Sequence, residues 1–344
     1  MRKKSIHYIS GLALLAVFCV GCKPGYNLTV IDGFTQGTTF HIVIRDDIPA
    51  NVNIRRDIDS IFLRAERAMS LYDPTSLLCR LNRNETDSVD RYIAECIRIA
   101  DRISRETDGL FDITVKPLTG AYGFAGEARN ERPDIDSLLR FVGYGKIRVE
   151  DGRLIKAHPQ VQIDLNAIAQ GYTVDEVARH FDSLGLENYL IEMGGELFCR
   201  GANARDEKWT VGIDAPIDGN YIPGSDLQIR LRISGRGLAT SGNYRKFYDT
   251  EAGERVVHTV NPRTGKPVIS RVLSATVLAP DATLADVYGT YFMVAGLESA
   301  KDFLEKHPEL DACIIFSDEQ GDIRFLMTPN LEYEFPADLE AVGE

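Results

Sequence analysis

The stretch "IDLNAIAQGYTVDEV" (163–177) joins an apolar run to a segment with helical spacing. It predicts a strand that ends at Asp164, followed by a helix whose first turns carry almost no bulky side chains. A backbone without bulky side chains beside a carboxylate is typical of a site for a ligand or metal, but it is equally typical of tightly packed helices. The stretch alone leaves these two interpretations level, so the flanking sequence has to decide between them.

The sequence before this stretch mixes strands and helices. Alternation of apolar residues predicts a hairpin over 28–44, and helical spacing predicts helices over 51–70 and about 87–107. The Gly- and Pro-punctuated segment 111–124 is predicted to be extended. A short helix around 134–142 and two strands in "KIRVEDGRLIKA" complete this half.

After residue 184 the sequence contains several short strand patterns. Two helices are predicted, from Thr283 into the 290s and from Leu297 to His307, before a closing hairpin at 311–328. No GxGxxG follows a strand, and there is no regular βαβ rhythm. The predicted fold class is therefore α+β, a single domain with a mixed, mainly antiparallel sheet and packed helices.

Residues 1–21 have the pattern of a secretory signal, with a basic start and an apolar run too short for an ordinary membrane span. Cys22 follows where bacterial lipoproteins are acylated after cleavage, although a plain signal peptide with a chance Cys stays an alternative. We predict a lipid-anchored exported protein of the bacterial envelope, facing the periplasm. Its tether would span 22–30, its folded domain 31–335 and its tail 336–344.

The charge balance limits the possible partners. The formal net charge is −12, and residues 1–21 hold three basic and no acidic residues, so cleavage makes the chain more acidic. Such a surface repels nucleic acid, and that class of partner is excluded. Four further cysteines lack CxxC spacing, which argues against zinc and leaves free buried thiols and disulfides both open: Cys79, Cys96, Cys199 and Cys313.

Oxygen ligands for a hard cation occur in "APDATLADVYGTYF". Asp286 and Thr290 are four residues apart on a predicted helix, so both side chains lie on one face and could bind one Mg²⁺ ion. The alternative is helix capping, because Thr283 and Asp286 also have the spacing of a capping box. On this segment alone, capping is the stronger interpretation.

Three more candidates are individually weak. Asp164, with the backbone carbonyls of Asn166 or Ala167, could complete the oxygen ligands if the chain kinks there. His258 precedes a Pro-Arg-Thr-Gly turn on a predicted strand, although a lone His is more often structural than catalytic. Tyr72 lies beside a Pro turn, as a stacking surface or as an ordinary loop aromatic.

The order and spacing of these segments carry more information than each one alone. From Phe34 to about Phe335 the sequence resembles the FAD:protein FMN transferase family, also called ApbE. Eight motifs in family order carry the resemblance: "QGTTF", "SLYDPTSLLCRLN", "GLFDITVKPL", "IDLNAIAQGYTVD", "IEMGGELFCRG", "LATSGNYRKFY", "HTVNPRTGKP" and "SATVLAPDATLADVYGT".

The resemblance implies an ApbE-like catalytic domain that uses FAD with Mg²⁺. It would transfer the FMN moiety onto a Thr or Ser hydroxyl of an acceptor protein, such as a subunit of a membrane redox complex, and release AMP. The carbonyl of Ala167 would bind the metal together with Asp286 and Thr290, and His258 would assist proton removal. FAD contacts are implied for Gln36, Tyr72, Leu110, Phe111, Asp112, Asp164, Gln170 and Val260.

Five positions depart from the family pattern. Gln36 stands where Met is frequent, and Gln170 replaces a common Lys, which removes a positive charge near the phosphates. Asn243 and Asn261 replace frequent Asp residues, and Gly289 stands where some members carry an extra acidic group. These departures concern FAD binding and the balance between transfer and hydrolysis.

Two other functions stay open at this point. A Mg²⁺-dependent FAD pyrophosphatase would use the same metal site, with water in place of the protein hydroxyl. A flavin-binding lipoprotein without turnover is the alternative outside enzymes, and the clustered oxygen ligands argue against it, because plain binding needs no metal at the pyrophosphate.

Overall fold

The computed structural model describes residues 28–124, 126–130, 132–216, 227–243, 247–249 and 255–335. In chain order the strands are β1 (Thr29–Thr35), β2 (Thr38–Ile44), β3 (Ile147–Glu150), β4 (Arg153–Lys156), β5 (Tyr189–Met193), β6 (Glu196–Arg200), β7 (Trp209–Asp214), β8 (Leu227–Ile233), β9 (Arg236–Gly242), β10 (Phe247–Asp249), β11 (Arg255–Val257), β12 (Val272–Ala279), β13 (Asp311–Ser317), β14 (Ile323–Met327) and β15 (Tyr333–Glu334). The helices are α1 (Ile54–Met69), α2 (Leu77–Asn82), α3 (Arg91–Glu106), α4 (Lys116–Ala121), α5 (Ile135–Leu139), α6 (Ala169–Ser183), α7 (Ala282–Ala295) and α8 (Leu297–Lys306).

Eight strands form one sheet in the order β1-β2-β5-β6-β9-β12-β13-β14, and each neighbouring pair is antiparallel. Central strand β12 aligns Val277 with Ala239 of β9 on one side and with Ala312 of β13 on the other. Nearly all of β12 is buried. The α+β fold with a mainly antiparallel sheet is confirmed.

The two faces of this sheet are covered by different layers, because neighbouring residues of a strand point to opposite sides. On one face, Ala239 packs in a cluster with Val287 of α7. On the other face, Leu238 packs with Trp209 and Leu231 of the three-stranded sheet β15-β8-β7. Burial on both faces explains why the central strands carry long apolar runs rather than strict alternation.

Helix α6 lies in the interior, against α1, α7 and strand β6. Its residues Val174, Val177 and Phe181 are fully buried among side chains of α1 and the β1–β2–β5 end of the sheet. Asp175 and Glu176 on the same helix are also buried. Because buried charges need partners, they mark a polar connection inside the fold.

Several predicted elements agree with the structure. The opening hairpin is β1–β2, the predicted helix over 51–70 is α1, and "KIRVEDGRLIKA" forms the β3–β4 pair. Helices α7 and α8 occupy the predicted segments, and the closing hairpin is β13–β14.

Two predictions were wrong. Segment 111–124 is not extended: a 3₁₀ turn (Ile113–Val115) leads into α4, where Pro117 lies in the first turn and its missing N–H costs nothing. Residues 161–165 belong to no strand, so Asp164 does not end one. The short helix α2 was not predicted, because its six residues are too few to show a helical period.

The four cysteines are free thiols. Cys96, Cys199 and Cys313 are buried and Cys79 is partly buried, so the core interpretation is the correct one. Burial raises the pKa of the Cys199 and Cys313 thiols to about 12, which keeps them protonated. Within the described ranges, no helix combines the length and apolarity needed to cross a membrane. The predicted signal and Cys22 lie outside those ranges.

Candidate active site

A cavity of about 450 Å³ opens between the first turn of α6, the middle and C-terminal part of α7 and the end of β9. Residues around Leu110 and the residues that follow β11 also line it. Eleven of the twelve residues predicted to bind FAD, bind metal or act in catalysis line this cavity: Tyr72, Leu110, Phe111, Asp112, Asp164, Ala167, Gln170, His258, Val260, Asp286 and Thr290. Residues distant in sequence thus meet at one place.

Hydrogen bonds fix the irregular chain that leads to Asp164. The N–H of Ile163 donates to Oδ1 of Asn82 at 2.7 Å, and the amide of Asn82 donates back to the Ile163 carbonyl at 2.8 Å. The Asp164 N–H donates to the carbonyl of Ile113 at 2.7 Å. These bonds replace the ladder of a strand and let the chain turn into α6 at this point.

The Asp164 carboxylate is buried and held from both sides. Its Oδ1 accepts the N–H of Asn166 at 2.9 Å, and its Oδ2 accepts the Thr119 hydroxyl at 2.9 Å. Tyr72 lies 64% exposed at the cavity mouth, and partial burial together with the charge of Asp164 raises the pKa of its hydroxyl. Tyr72 therefore presents a neutral aromatic ring to a ligand.

Asp112 begins the 3₁₀ turn on the same side of the cavity. Its Oδ1 accepts the N–H of Thr114 at 2.7 Å and the Thr114 hydroxyl at 2.6 Å. Burial raises the pKa of Asp112 in spite of these bonds. The Asp112 carboxyl is thus committed to shaping the loop that carries Leu110 and Phe111.

Helix α7 supplies the other predicted metal ligands, and the capping interpretation of Asp286 is wrong. Asp281 is the N-cap, and its side chain accepts the N–H of Leu284 at 2.7 Å. Asp286 instead accepts the N–H of Gly171 from α6 at 3.3 Å. The hydroxyl oxygens of Thr290 and Ser241 lie 3.4 Å apart.

The chemistry of these donors fits a hard divalent cation. A buried carboxylate (Asp286), a hydroxyl (Thr290) and the chain at Ala167 border one cavity, and Mg²⁺ prefers such oxygen ligands. Across the described part of the chain, no three His, Cys, Asp or Glu side chains cluster as a metal site. The candidate set therefore depends on a hydroxyl and a backbone oxygen beside its carboxylate.

His258 also lines the cavity and lies one residue after β11 rather than on a strand as predicted. Its ring centre is 6.2 Å from that of Phe124, in an edge-on arrangement. The next residue, Thr259, donates its hydroxyl to Oδ1 of Asn243 at 2.7 Å. This bond ties the His258 segment to the end of β9.

Gln36 is the one predicted site residue that does not line the cavity. It occupies the turn of the β1–β2 hairpin with a φ of +47°, and its amide donates to the Thr173 hydroxyl on α6 at 3.1 Å. Gln36, which stands where Met is frequent, therefore makes a polar contact between the hairpin and α6.

Comparison with known proteins identifies the family. The model of the ApbE family matches residues 36–314. The chain belongs to the ApbE family. It is 31% identical over 320 residues to the FAD:protein FMN transferase of Haemophilus influenzae, covering 89% of this chain and 91% of that protein. The Escherichia coli K12 protein of the same name is 32% identical over 315 residues, covering 86% and 88%.

Solved ApbE structures have the same fold. The flavin transferase ApbE from Vibrio cholerae superposes with a TM-score of 0.77 at 29% identity, covering 88% of this chain and 98% of that one. The apo flavinyl transferase ApbE of Pseudomonas stutzeri also gives 0.77, at 25% identity and with 88% and 95% covered.

Two positions that depart from the ApbE pattern, Gln170 and Gly289, have close neighbours in the structure. The Gln170 side chain, shorter than the Lys that is common at this position, reaches the glycine turn after β5, because a Cβ placed on Gly194 would lie 3.1 Å from its Nε2. A Cβ on Gly289 would lie 3.0 Å from the Ser241 hydroxyl. An acidic side chain at position 289 would therefore displace Ser241, which neighbours Thr290.

The sequence analysis of this ApbE chain missed several residues that line the cavity, among them Thr119, Glu196 and Phe124. Glu196 could have been found from the sequence, because it follows two consecutive glycines. In the structure these glycines have φ of +68° and +108° and turn the chain sharply after β5. Thr119 had none, since its contact with Asp164 joins residues 45 positions apart.

Proposed function

We propose that this flavin transferase of the ApbE family moves the FMN moiety of FAD onto a Thr or Ser hydroxyl of an acceptor protein and releases AMP. Mg²⁺ would be bound by Asp286, Thr290 and the Ala167 carbonyl. The curated relatives are named FAD:protein FMN transferases, which supports the transferase activity directly. The acceptor, the metal dependence and the site roles are our inference.

One observation carries this assignment to the cavity: the proposed metal ligands and His258 border a single space. Asp112, Asp164, Glu196 and Asp286 also border it, so the cavity is lined with carboxyl groups. An anionic pyrophosphate bound there needs a cation to offset the repulsion. The acidic lining therefore supports a metal-assisted reaction on a dinucleotide.

The proposed reaction is a displacement at phosphorus. The acceptor hydroxyl oxygen bonds to the phosphorus of the FMN phosphate, the bond from that phosphorus to the bridging oxygen breaks, and AMP leaves with the bridging oxygen. His258 accepts the proton of the attacking hydroxyl at a ring nitrogen. When bound, Mg²⁺ would neutralise the charge that develops on the phosphate oxygens. Tyr72, Leu110 and Phe111 would orient the flavin nucleotide.

The decisive experiment incubates purified protein with FAD, Mg²⁺ and a candidate acceptor, and follows the acceptor by intact-mass spectrometry. We expect a mass increase of one FMN phosphoester, release of AMP, and loss of both on chelation by EDTA. An acceptor with its target Thr replaced by Val is the matched control. Free FMN without adduct would instead assign the FAD pyrophosphatase activity to this protein for that acceptor.

We also propose that the mature protein is held at the bacterial envelope by a lipid on Cys22 and faces the periplasm. The support is the sequence pattern of residues 1–22. Full-length protein should partition with membranes and carry diacylglycerol on its N-terminal peptide, whereas Cys22→Ser should be recovered without lipid. An unmodified Cys22 in membrane-free protein would contradict the proposal.

A further inference from the structure

Helix α7 has an unusual N-terminus, because two carboxylates from different elements bind its first N–H groups. Asp281 provides the ordinary cap on Leu284. Asp175, from the middle of α6, accepts the N–H of Ala282 at 2.9 Å with Oδ1 and the N–H of Thr283 at 2.8 Å with Oδ2. The Thr283 hydroxyl donates to Oδ2 as well. Asp281 satisfies only the N–H of Leu284, so the two preceding N–H groups of α7 depend on a carboxylate from α6.

The contact between α6 and α7 has two ties, spaced by one helical turn on each helix. Gly171 donates its N–H to Asp286, and Asp175, four residues later, binds the N–H groups of Ala282 and Thr283. Residues four apart lie on one helix face. Two ties along the same face resist rotation and sliding of one helix against the other, whereas one tie would act as a pivot.

The helices approach so closely that Gly171 admits no side chain. A Cβ on Gly171 would lie 2.5 Å from the Ala282 carbonyl oxygen, well inside contact distance. Asp175 and Thr283 are only 4% and 2% exposed, so these hydrogen bonds are shielded from water. Arg179 and Arg102 lie near the other carboxylate, Asp281. We refer to this contact between α6 and α7 as the joint. It is close, shielded from water and held by specific hydrogen bonds.

This joint has a direct relation to the proposed metal ligands. Ala167 lies just before α6, while Asp286 and Thr290 lie on α7. The ligands are therefore split between the two elements that the joint connects. We propose that Asp175 is a positioning residue, which holds α7 against α6 so that Asp286 and Thr290 face the Ala167 carbonyl at metal-binding distance. The inference rests on the proposed function only through the metal assignment.

The test is metal binding by full-length protein in the presence of FAD, with Mn²⁺ as a probe whose free ion is quantified by electron paramagnetic resonance. Asp175→Asn keeps the shape but points an amide donor at groups that are themselves donors. We expect the dissociation constant for Mn²⁺ to rise about 10-fold or more, in the range known for residues that orient metal ligands. Turnover at saturating metal should stay much closer to that of the wild type.

Asp281→Asn is the matched control, since it removes a carboxylate from the same helix end but leaves the joint to α6 in place. Asp175→Asn should lower the melting temperature, because one of its two accepting oxygens becomes a donor, whereas Asp281→Asn should change it little, because Asn caps a helix about as well as Asp. Only Asp175→Asn should weaken Mn²⁺ binding strongly. An equal loss in both variants, or wild-type affinity in folded Asp175→Asn, would overturn the positioning role.

Thr283→Val decides the question if Asp175→Asn fails to fold. This variant keeps the side-chain volume and removes only the hydroxyl donor to Asp175. A rise in the Mn²⁺ dissociation constant of about two- to fivefold supports the proposal, and unchanged affinity overturns it. If the wild type itself binds no Mn²⁺, the metal assignment and the positioning role both fall. If it binds and the variants match it, only the positioning role falls.

Discussion

Two parts of the cavity lining are built by different means. In one part, α7 presents Asp286 and Thr290 and contacts the buried helix α6 without an intervening side chain at Gly171. In the other part, the segments around Phe111 and His258 are irregular and are joined by hydrogen bonds between loops. We refer to these as the helix wall and the loop wall.

The loop wall is held by a few specific contacts. Arg263 donates to the carbonyl of Asp108 at 3.1 Å, and the Tyr122 hydroxyl donates to the carbonyl of Gly265 at 2.9 Å. Thr259 adds its bond to Asn243. Such loops are easier to displace than packed helices. Under the proposed function, the rigid helix wall would hold the metal ion, whereas the loop wall would adjust to a protein acceptor.

The largest effect should come from the helix wall. Asp286→Ala removes the carboxylate among the proposed metal ligands, and we expect turnover to fall about 1,000-fold, because such a metal contributes several kcal/mol to the transition state. Circular dichroism should show an unchanged fold. Asp302→Ala, an exposed carboxylate on α8, is the control and should keep full activity. Full Mg²⁺-dependent activity in Asp286→Ala would show that the metal assignment is wrong.

On the loop wall, His258→Asn should lower the transfer rate about 100-fold, as for the loss of a general base. The dissociation constant for FAD, measured by flavin fluorescence, should change little, because the proposed role of His258 is proton transfer. His158→Asn is the control. His158 is exposed, its ring packs beside that of Phe141, and it does not line the cavity. An unchanged rate would remove His258 from the mechanism.

Gly171→Ala tests the rigidity of the helix wall. The added methyl group meets the Ala282 carbonyl oxygen, and separating the helices should cost about 1–3 kcal/mol of unfolding free energy. Chemical denaturation measures this cost. At Gly145 an added Cβ has no neighbour within 4 Å, so Gly145→Ala should be close to neutral. Equal stability of both variants would contradict the close helix contact.

Tyr72→Ala should weaken FAD binding by roughly 1 kcal/mol, or several-fold, through loss of an aromatic surface at the cavity mouth. Tyr72→Phe keeps the ring and should retain nearly wild-type affinity. Fluorescence titration separates the two. If the Phe variant loses as much as the Ala variant, the hydroxyl and not the ring makes the contact.

The smallest effect concerns pH and Asp112. Burial raises the pKa of Asp112 in the folded state, so its contribution to stability is present below the unfolded pKa near 4 and is lost as pH rises through the folded pKa. Asp112→Asn keeps an acceptor for Thr114 and removes the buried charge. We expect a gain of less than about 1 kcal/mol at neutral pH and a flatter pH dependence of the melting temperature. A loss of stability at pH 7 would contradict this sign.

Much of the fold could be predicted because local patterns are strong there. The apolar spacing of α1 and the alternation of β1 and β2 are readable in windows of a few residues. Segment 111–124 was mispredicted because its Gly and Pro residues are as compatible with a helix start as with a loop. Asp164 was misassigned because Asn82, far away in sequence, provides the hydrogen bonds that a strand partner would have supplied.

The sequence by itself determined the family, the α+β class and eleven of the residues that line the cavity, because motif order and local periodicity are properties of the chain alone. Only the tertiary structure decided that Asp281 caps α7, which leaves Asp286 to face Gly171 and the cavity. It also decided that Gln36 contacts α6 and that Asp175 connects the two helices. The contacts of Asp286, Gln36 and Asp175 join residues more than 100 positions apart, and the free energy that selects them comes from packing and burial across the whole fold.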